Sequence, residues 1–159
     1  MKSWYNGNME EVMLVKTKVY LDNCCFNRPY DNQGNLLVKL ETEAKLKIQQ
    51  MAKEGELDLV WSFVLDFENA ANPYEAKRKA IEKWRDVAVQ IMQLSDETAK
   101  LSDMNMKLGL RQKDAAHLAC AMVAKADFFI TTDKKILNKP IENIETVNPI
   151  DFLRRYFDV

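Results

Sequence analysis

The stretch Asp127-Phe128-Phe129-Ile130-Thr131-Thr132-Asp133 reads as a strand that ends on an acid. An unbroken aromatic and β-branched run is what a strand covered on both faces looks like, which is the condition of a parallel sheet. Lys18-Val19-Tyr20-Leu21-Asp22 repeats the arrangement near the start of the chain, again closing on an acid. Leu57-Asp58-Leu59-Val60-Trp61 supplies another strand, and Thr146-Val147 is a candidate for the last. Helical segments separate these runs. Strands alternating with helices predict an α/β fold with a mainly parallel sheet, because each parallel crossover needs a helix between strands. Ligands in such sheets bind outside the carboxyl ends of the strands. Asp22 and Asp133 stand at those ends.

The intervening helices have recognisable signatures. Leu36, Leu37, Leu40, Ala44, Ile48 and Met51 recur at steps of three and four up to Gly55, a common stop. Phe63 to Ala70 suggests a short helix carrying Asp66 and Glu68. Asn72-Pro73 predicts the start of another, with Asn72 as cap, Pro73 in first position, and Tyr74, Ile81, Trp84, Ala88 and Ile91 as its buried stripe. Ser95-Asp96-Glu97 opens a helix running toward Gly109, and an Ala-rich one spans Lys113 to Lys125. A C-terminal helix with Phe152, Leu153 and Tyr156 follows Asn148-Pro149. Residues 1–16 follow neither period and read as an N-terminal extension, leaving 17–159 as a single domain.

Composition narrows the function. The chain has 159 residues, 47% of them hydrophobic, which suffices for one conventional core. Its 23 Lys and Arg against 24 Asp and Glu give a net charge of −1, which excludes a generic basic coat for nucleic acid but not a locally charged site. No apolar run approaches the ~20 residues of a membrane helix, and the first residues have no signal-like apolar segment, so a cytoplasmic protein without membrane contact is expected. Cys24, Cys25 and Cys120 lack a C-x-x-C pair or a companion His cluster, and are expected to be reduced and mostly buried.

Acids gathered at the mouth of a sheet repel one another and resist burial. A hard divalent cation such as Mg²⁺ or Mn²⁺ offsets that cost, since it takes oxygen ligands and needs only a few carboxylates. Asp22 and Asp133 alone are a weak signal, because an acid after a strand also caps a following helix. Asp114, near the start of the Ala-rich helix, has an ordinary explanation in the helix dipole and a functional one if it faces the same cavity. Glu68 stands in a largely apolar stretch, an odd place for a merely solvated charge; Asp66, two residues earlier, ranks behind it.

Taken together these pieces resemble the PIN-domain nuclease family, in its VapC-like, small single-domain form. The matching segments are Val19-Tyr20-Leu21-Asp22-Asn23, Ser62 with Glu68 six residues on, Lys113-Asp114-Ala115-Ala116-His117-Leu118-Ala119-Cys120-Ala121, and Phe129-Ile130-Thr131-Thr132-Asp133, in the family's order across residues 18 to about 150. The resemblance implies a Rossmann-like three-layer α/β/α domain and a metal-dependent ribonuclease, an endoribonuclease hydrolysing RNA phosphodiesters. Asp22, Glu68, Asp114 and Asp133 would be both its catalytic acids and its ligands for Mg²⁺ or Mn²⁺. It further implies Asn23, Ser62, Thr131 and Thr132 as hydrogen-bonding support, and RNA as substrate. A cognate antitoxin protein, as in a toxin-antitoxin module, and a second copy of the chain are the candidate partners. One departure stands out: Asn23-Cys24-Cys25 follows the first acid, where small members often have Ser or Thr.

Other features have quieter readings. His117, three residues after Asp114, is expected to be a packed, hydrogen-bonded residue. Cys24 and Cys25 have no neighbouring His in sequence to activate a nucleophile, and read as structural. The run Lys77, Arg78, Lys79, Lys83 and Arg85 reads as a solvated helix face; Arg28, Lys113 and Lys134 flank the acids and are candidates to touch substrate phosphate. The competing function is a non-catalytic PIN module that binds RNA or protein. A haloacid-dehalogenase phosphatase needs a second Asp where Cys24 stands, and no glycine-rich loop supports a nucleotide-binding module.

Overall fold

The computed structural model describes the backbone of residues 2–5 and 12–159, and side chains from Val15 onward except that of Arg28. Five strands, β3 (Thr17–Leu21), β4 (Leu57–Ser62), β5 (Gln90–Met92), β6 (Phe128–Ile130) and β7 (Glu145–Val147), form one parallel sheet in the order β5-β4-β3-β6-β7. The sheet starts at its middle strand, β3, builds outward to β5, then returns to lay β6 against the other side of β3 and β7 beyond it. That reversal leaves a crevice at the carboxyl ends of β3 and β6, the usual ligand position in an open α/β sheet. Ahead of the sheet, β1 (Lys2–Tyr5) and β2 (Val12–Val15) pair as a separate antiparallel ladder.

Strand periodicity assigns the two faces of the sheet. Tyr20 pairs with Val60 and Phe129 in register, and all three turn toward α7 (Gln112–Val123), where Tyr20 meets His117 edge-on. The alternate residues face α2 (Leu36–Lys53) and α9 (Pro149–Phe157): Phe128 packs edge to face on Phe152, with centroids 5.1 Å apart, and Trp61 meets Phe26 of α1 (Asn23–Asn27) at 5.3 Å. Helices on both faces of a parallel sheet make the three-layer α/β/α sandwich expected from the sequence. Small residues in α7, namely Ala115, Ala119 and Ala121, are fully buried and let that helix lie close to the strands. The helix α6 (Asp96–Met106) starts with a capping box at Ser95 and Thr98, and docks on α7 through Asn105 Nδ2, which donates to the Ala115 carbonyl at 3.1 Å. No helix among the described residues is long and apolar enough to cross a membrane.

Three expectations need correction. Asn72 does not cap a helix: its Oδ1 accepts from Tyr74 N at 3.1 Å, an Asx turn that carries Pro73. The helix α4 (Glu75–Glu82) begins after it, with Tyr74 exposed at its head rather than buried. The single long stripe to Ile91 is broken as well, since α4 and the short α5 (Trp84–Val87) give way at Ala88 to extended backbone and the edge strand β5. In α2 the predicted buried stripe holds only in its second half. Ala44, Ile48 and Met51 are buried, but Leu36, Leu37 and Leu40 are exposed, while Glu41, Lys45 and Gln49 are buried.

Truncating Phe152, the aromatic that joins α9 to β6, to Ala is expected to cost about 3–5 kcal/mol. Urea unfolding followed by circular dichroism checks it; a midpoint close to wild type would mean that α9 is not part of the cooperative core.

Candidate functional site

The first acid follows directly from the end of β3. Asp22 N donates to the Ile130 carbonyl at 2.9 Å, extending the β3-β6 ladder by one bond and aiming the carboxylate into the crevice mouth. The residue is 5% exposed and its carboxylate is held at both oxygens: Oδ1 accepts from Asn23 N and Oδ2 from Thr131 Oγ1, each at 2.8 Å. Cys24 lies alongside, its Sγ 3.5 Å from Asp22 Oδ2 and 3.3 Å from Thr131 Oγ1. The residue directly after Asp22 is Asn23, with no hydroxyl to offer, and Thr131, from the opposite strand, supplies the hydroxyl donor to the carboxylate.

Glu68 comes from α3 (Phe63–Ala70), whose N-cap is Ser62 at the end of β4, with Oγ accepting from Leu65 N. One turn and a half later Glu68 points back over the sheet. Its Oε2 accepts from Asn23 Nδ2 at 3.0 Å and its Oε1 is tightly hydrogen-bonded to His117 Nε2. The other imidazole nitrogen, Nδ1, bonds the Tyr20 hydroxyl at 2.6 Å, and Tyr20 in turn bonds Ser62 Oγ at 2.6 Å. Ser62, Tyr20 and His117 are wholly buried, so this chain is a sealed polar line from strand end to carboxylate. His117 Nε2 also stands 3.7 Å from Asp22 Oδ1, which makes the imidazole the bridge between two acids.

The electrostatics follow from that packing. Burial alone would raise Glu68, but the His117 hydrogen bond and charge, then Lys113 and Asn23, outweigh it and hold its carboxyl below the usual range. Burial would lower His117, yet the bond to Glu68 and the charge of Asp22 lift it above the ordinary imidazole value. Asp114, in the first turn of α7, is pushed up by burial and by the charges of Asp22 and Asp133, with Glu68 adding to them. The four acids named from sequence thus share one electrostatic neighbourhood. Asp133 serves a second purpose there, since its Oδ1 accepts from Lys135 N at 2.8 Å and caps the short α8 (Lys134–Leu137).

The supporting residues fall in different places. Thr131 and Asn23 touch the acids directly, Ser62 reaches them only through Tyr20 and His117, and Thr132 donates its backbone N–H to Cys24 Sγ at 3.3 Å. Lys113 is exposed and near enough to Glu68 to stabilise its charge; Lys134 is exposed at the head of α8. The side chain of Arg28 lies outside the described residues. Asp66 turns away, accepting from Trp61 Nε1 at 2.7 Å. Sequence reasoning read His117 as a packed residue and gave Tyr20 no part beyond its strand. The available signals were the three-residue step from Asp114 to His117, which places both on one helix face, and a hydroxyl at an inward strand position.

Oxygen-only acids in a crevice suit a hard divalent cation in their chemistry. Among the described residues, no group of three His, Cys, Asp or Glu side chains is preformed around an ion position. Both Glu68 oxygens are already taken up by His117 and Asn23.

No family model matches this sequence, and a search of the curated proteins finds no match. The fold does match solved structures. A chain in the crystal structure of VapBC2 from Rickettsia felis, bound to a DNA fragment from their promoter, superposes with a TM-score of 0.53 at 12% identity, covering 83% of this chain and 98% of that one. At that identity the likeness is one of fold, and it agrees with the three-layer sheet described above.

The charged pair of His117 and Glu68 stabilises the fold in a definite pH window. Glu68, with its pKa lowered, contributes above the usual Glu range and loses that contribution as pH falls through its folded value. His117, with its pKa raised, contributes fully below about pH 6.5 and loses it as pH rises through its folded value. In EDTA, the stability gap between wild type and His117→Gln is therefore expected to be wider at about pH 5.5 than at about pH 9. Thermal melts at the two pH values check it, and equal gaps would mean a neutral imidazole throughout.

Proposed function

We propose that the protein is a divalent-metal-dependent endoribonuclease whose acids Asp22, Glu68, Asp114 and Asp133 bind Mg²⁺ or Mn²⁺ at the β3-β6 crevice. The observation that carries this reading is the gathering of the acids around the anchored Asp22, where burial and the charges of Asp22 and Asp133 push Asp114 up even though His117 offsets part of that repulsion. Such mutual repulsion is what a bound cation relieves. An ion held by these carboxylates would supply a water of lowered pKa and would offset charge on a scissile phosphate. The chain's own residues do the rest. Thr131 and Asn23 N fix both oxygens of Asp22, His117 and Asn23 orient Glu68, and the exposed Lys113 and Lys134 meet the phosphates that flank the cut, with Arg28 a further candidate for that contact. The fold likeness to VapBC2 supports a toxin-like role with a cognate antitoxin as partner.

Cleavage of single-stranded RNA in Mg²⁺ or Mn²⁺ is the direct test. Asp22→Asn and Asp133→Asn are each expected to lose ~100-fold or more of the rate; equal activity in all three proteins overturns the reading. Asp114→Asn adds an independent measurement. It is expected to raise the melting temperature in EDTA, because it removes a repelled carboxylate, and to weaken Mn²⁺ binding by calorimetry.

A second reading is a PIN-like module that binds RNA or protein without cutting. It is favoured by the two hydrogen bonds that occupy Glu68 and by the lack, among the described residues, of three His, Cys, Asp or Glu side chains preformed to hold an ion. Calorimetry that finds no Mn²⁺ binding to the wild type decides for it.

A further inference from the structure

Glu68 borders more than the acid crevice. It also lines a recess of about 270 Å³ where α3 gives way to α4, and Asn23, Asn69, Tyr74 and Lys77 form much of the remaining wall. Tyr74 is 68% exposed and Tyr30, nearby, 51%. Lys77 Nζ lies 5.0 Å from the centroid of the Tyr30 ring and 5.9 Å from that of Tyr74, so two exposed aromatic faces share one ammonium. The Asx turn at Asn72 is what lifts Tyr74 into this position instead of burying it. Open aromatic faces beside a cation are the combination that holds single-stranded nucleic acid, the ring stacking on a base and the cation meeting the backbone.

The buried part of the wall adds polarity of a defined sense. Asn23 Nδ2 donates to Glu68 Oε2, and Asn69 Nδ2 donates to the Arg78 carbonyl at 2.9 Å. Those bonds settle which end of each amide is oxygen. Both Oδ1 atoms are buried and have no partner among the described residues, although Asn69 is only 5% exposed. Buried acceptors without donors are unfavourable, and a ligand that brings N–H groups relieves them. The volume falls below the ~300 Å³ at which pockets for larger ligands begin, so it suits one planar ring.

We propose that this recess is a nucleobase subsite for single-stranded RNA, with Tyr74 as its stacking face, Asn23 and Asn69 as acceptors for base N–H groups, and Lys77 on the adjoining phosphate. The proposal rests on the ribonuclease reading, because Glu68 is shared between recess and acid crevice. Acceptors on the protein call for donors on the base, so adenine, guanine and cytosine, which carry an exocyclic amino group, are favoured over uracil.

Fluorescence anisotropy tests it with the full chain in EDTA at low salt, using short labelled oligonucleotides of A, C or U and an abasic backbone of equal length. Oligo(A) and oligo(C) are expected to bind more tightly than oligo(U), with the abasic strand weakest. Tyr74→Ala is expected to weaken oligo(A) binding about tenfold or more, and Tyr74→Phe to restore it. Lys77→Ala should weaken every strand alike, with a salt slope shallower by about one. Because Tyr74 is exposed, its variants are expected to melt with the wild type. Equal affinity for oligo(A) and the abasic strand, or an unchanged affinity in Tyr74→Ala, overturns the subsite. Cleavage assays in Mn²⁺ on the same preparations separate the two claims. Tyr74-dependent binding without cleavage upholds the recess and rejects the nuclease, whereas cleavage with Tyr74→Ala at an unchanged KM rejects the recess alone.

Discussion

The hydrogen bond from Thr131 to Asp22 joins the two strands on which everything else at the crevice depends. A carboxylate left without donors at the end of a buried strand would be heavily penalised. Here one oxygen takes the hydroxyl of the neighbouring strand and the other the next backbone N–H. Asp22 can therefore stay where the sheet puts it, and the remaining acids are arranged around that fixed point. His117, lying within reach of both Asp22 and Glu68, carries the arrangement across to α3. Tyr20 and Ser62 then anchor the imidazole to the strands beneath. Each of these links is between elements far apart in sequence, so the geometry at the mouth is a property of the closed sheet.

The same arrangement stores opposing tendencies. Glu68 is stabilised as a carboxylate by His117 and Lys113, whereas Asp114 is destabilised as one by burial and by Asp22 and Asp133. Carboxylates that differ in this way at one crevice are what a site for charged ligands looks like, since a structural surface would pair or separate them. The recess behind Glu68 continues the polar wall with amide groups instead of acids.

Much of this was legible in the sequence because it depends on local pattern. Asp22 and Asp133 are visible as acids that stop apolar strand runs, and the alternation of strands and helices fixes the parallel sheet. What was not legible depends on partners remote in the chain. β5 has only Gln90 to Met92 and acquires its identity by pairing with Val60 to Ser62, so its pattern alone passes for helix. The Asn72-Pro73 pair is compatible with a helix cap or an Asx turn, and the choice follows from how α4 meets α3 through Asn69 and Arg78. His117 among alanines and leucines does read as a packed residue, and it is one. That its buried ring would meet Glu68 and Tyr20 follows only once α3 and β3 lie beside α7.

The strand order has a consequence in time. β3 and β4, with α2 between them, can form a βαβ unit from the first 62 residues, and α3 adds Glu68 shortly after. Asp22 at that stage lacks its Thr131 donor, which arrives with β6, 109 residues along the chain. Long-range parallel pairing of this kind forms slowly because a long loop must close before any contact repays it. A growing chain released from synthesis before β6 would hold three of the four acids and lack Asp133, with the first of them unanchored. The complete crevice is thus among the last features to appear, and the molecule is chemically blank for most of its own assembly.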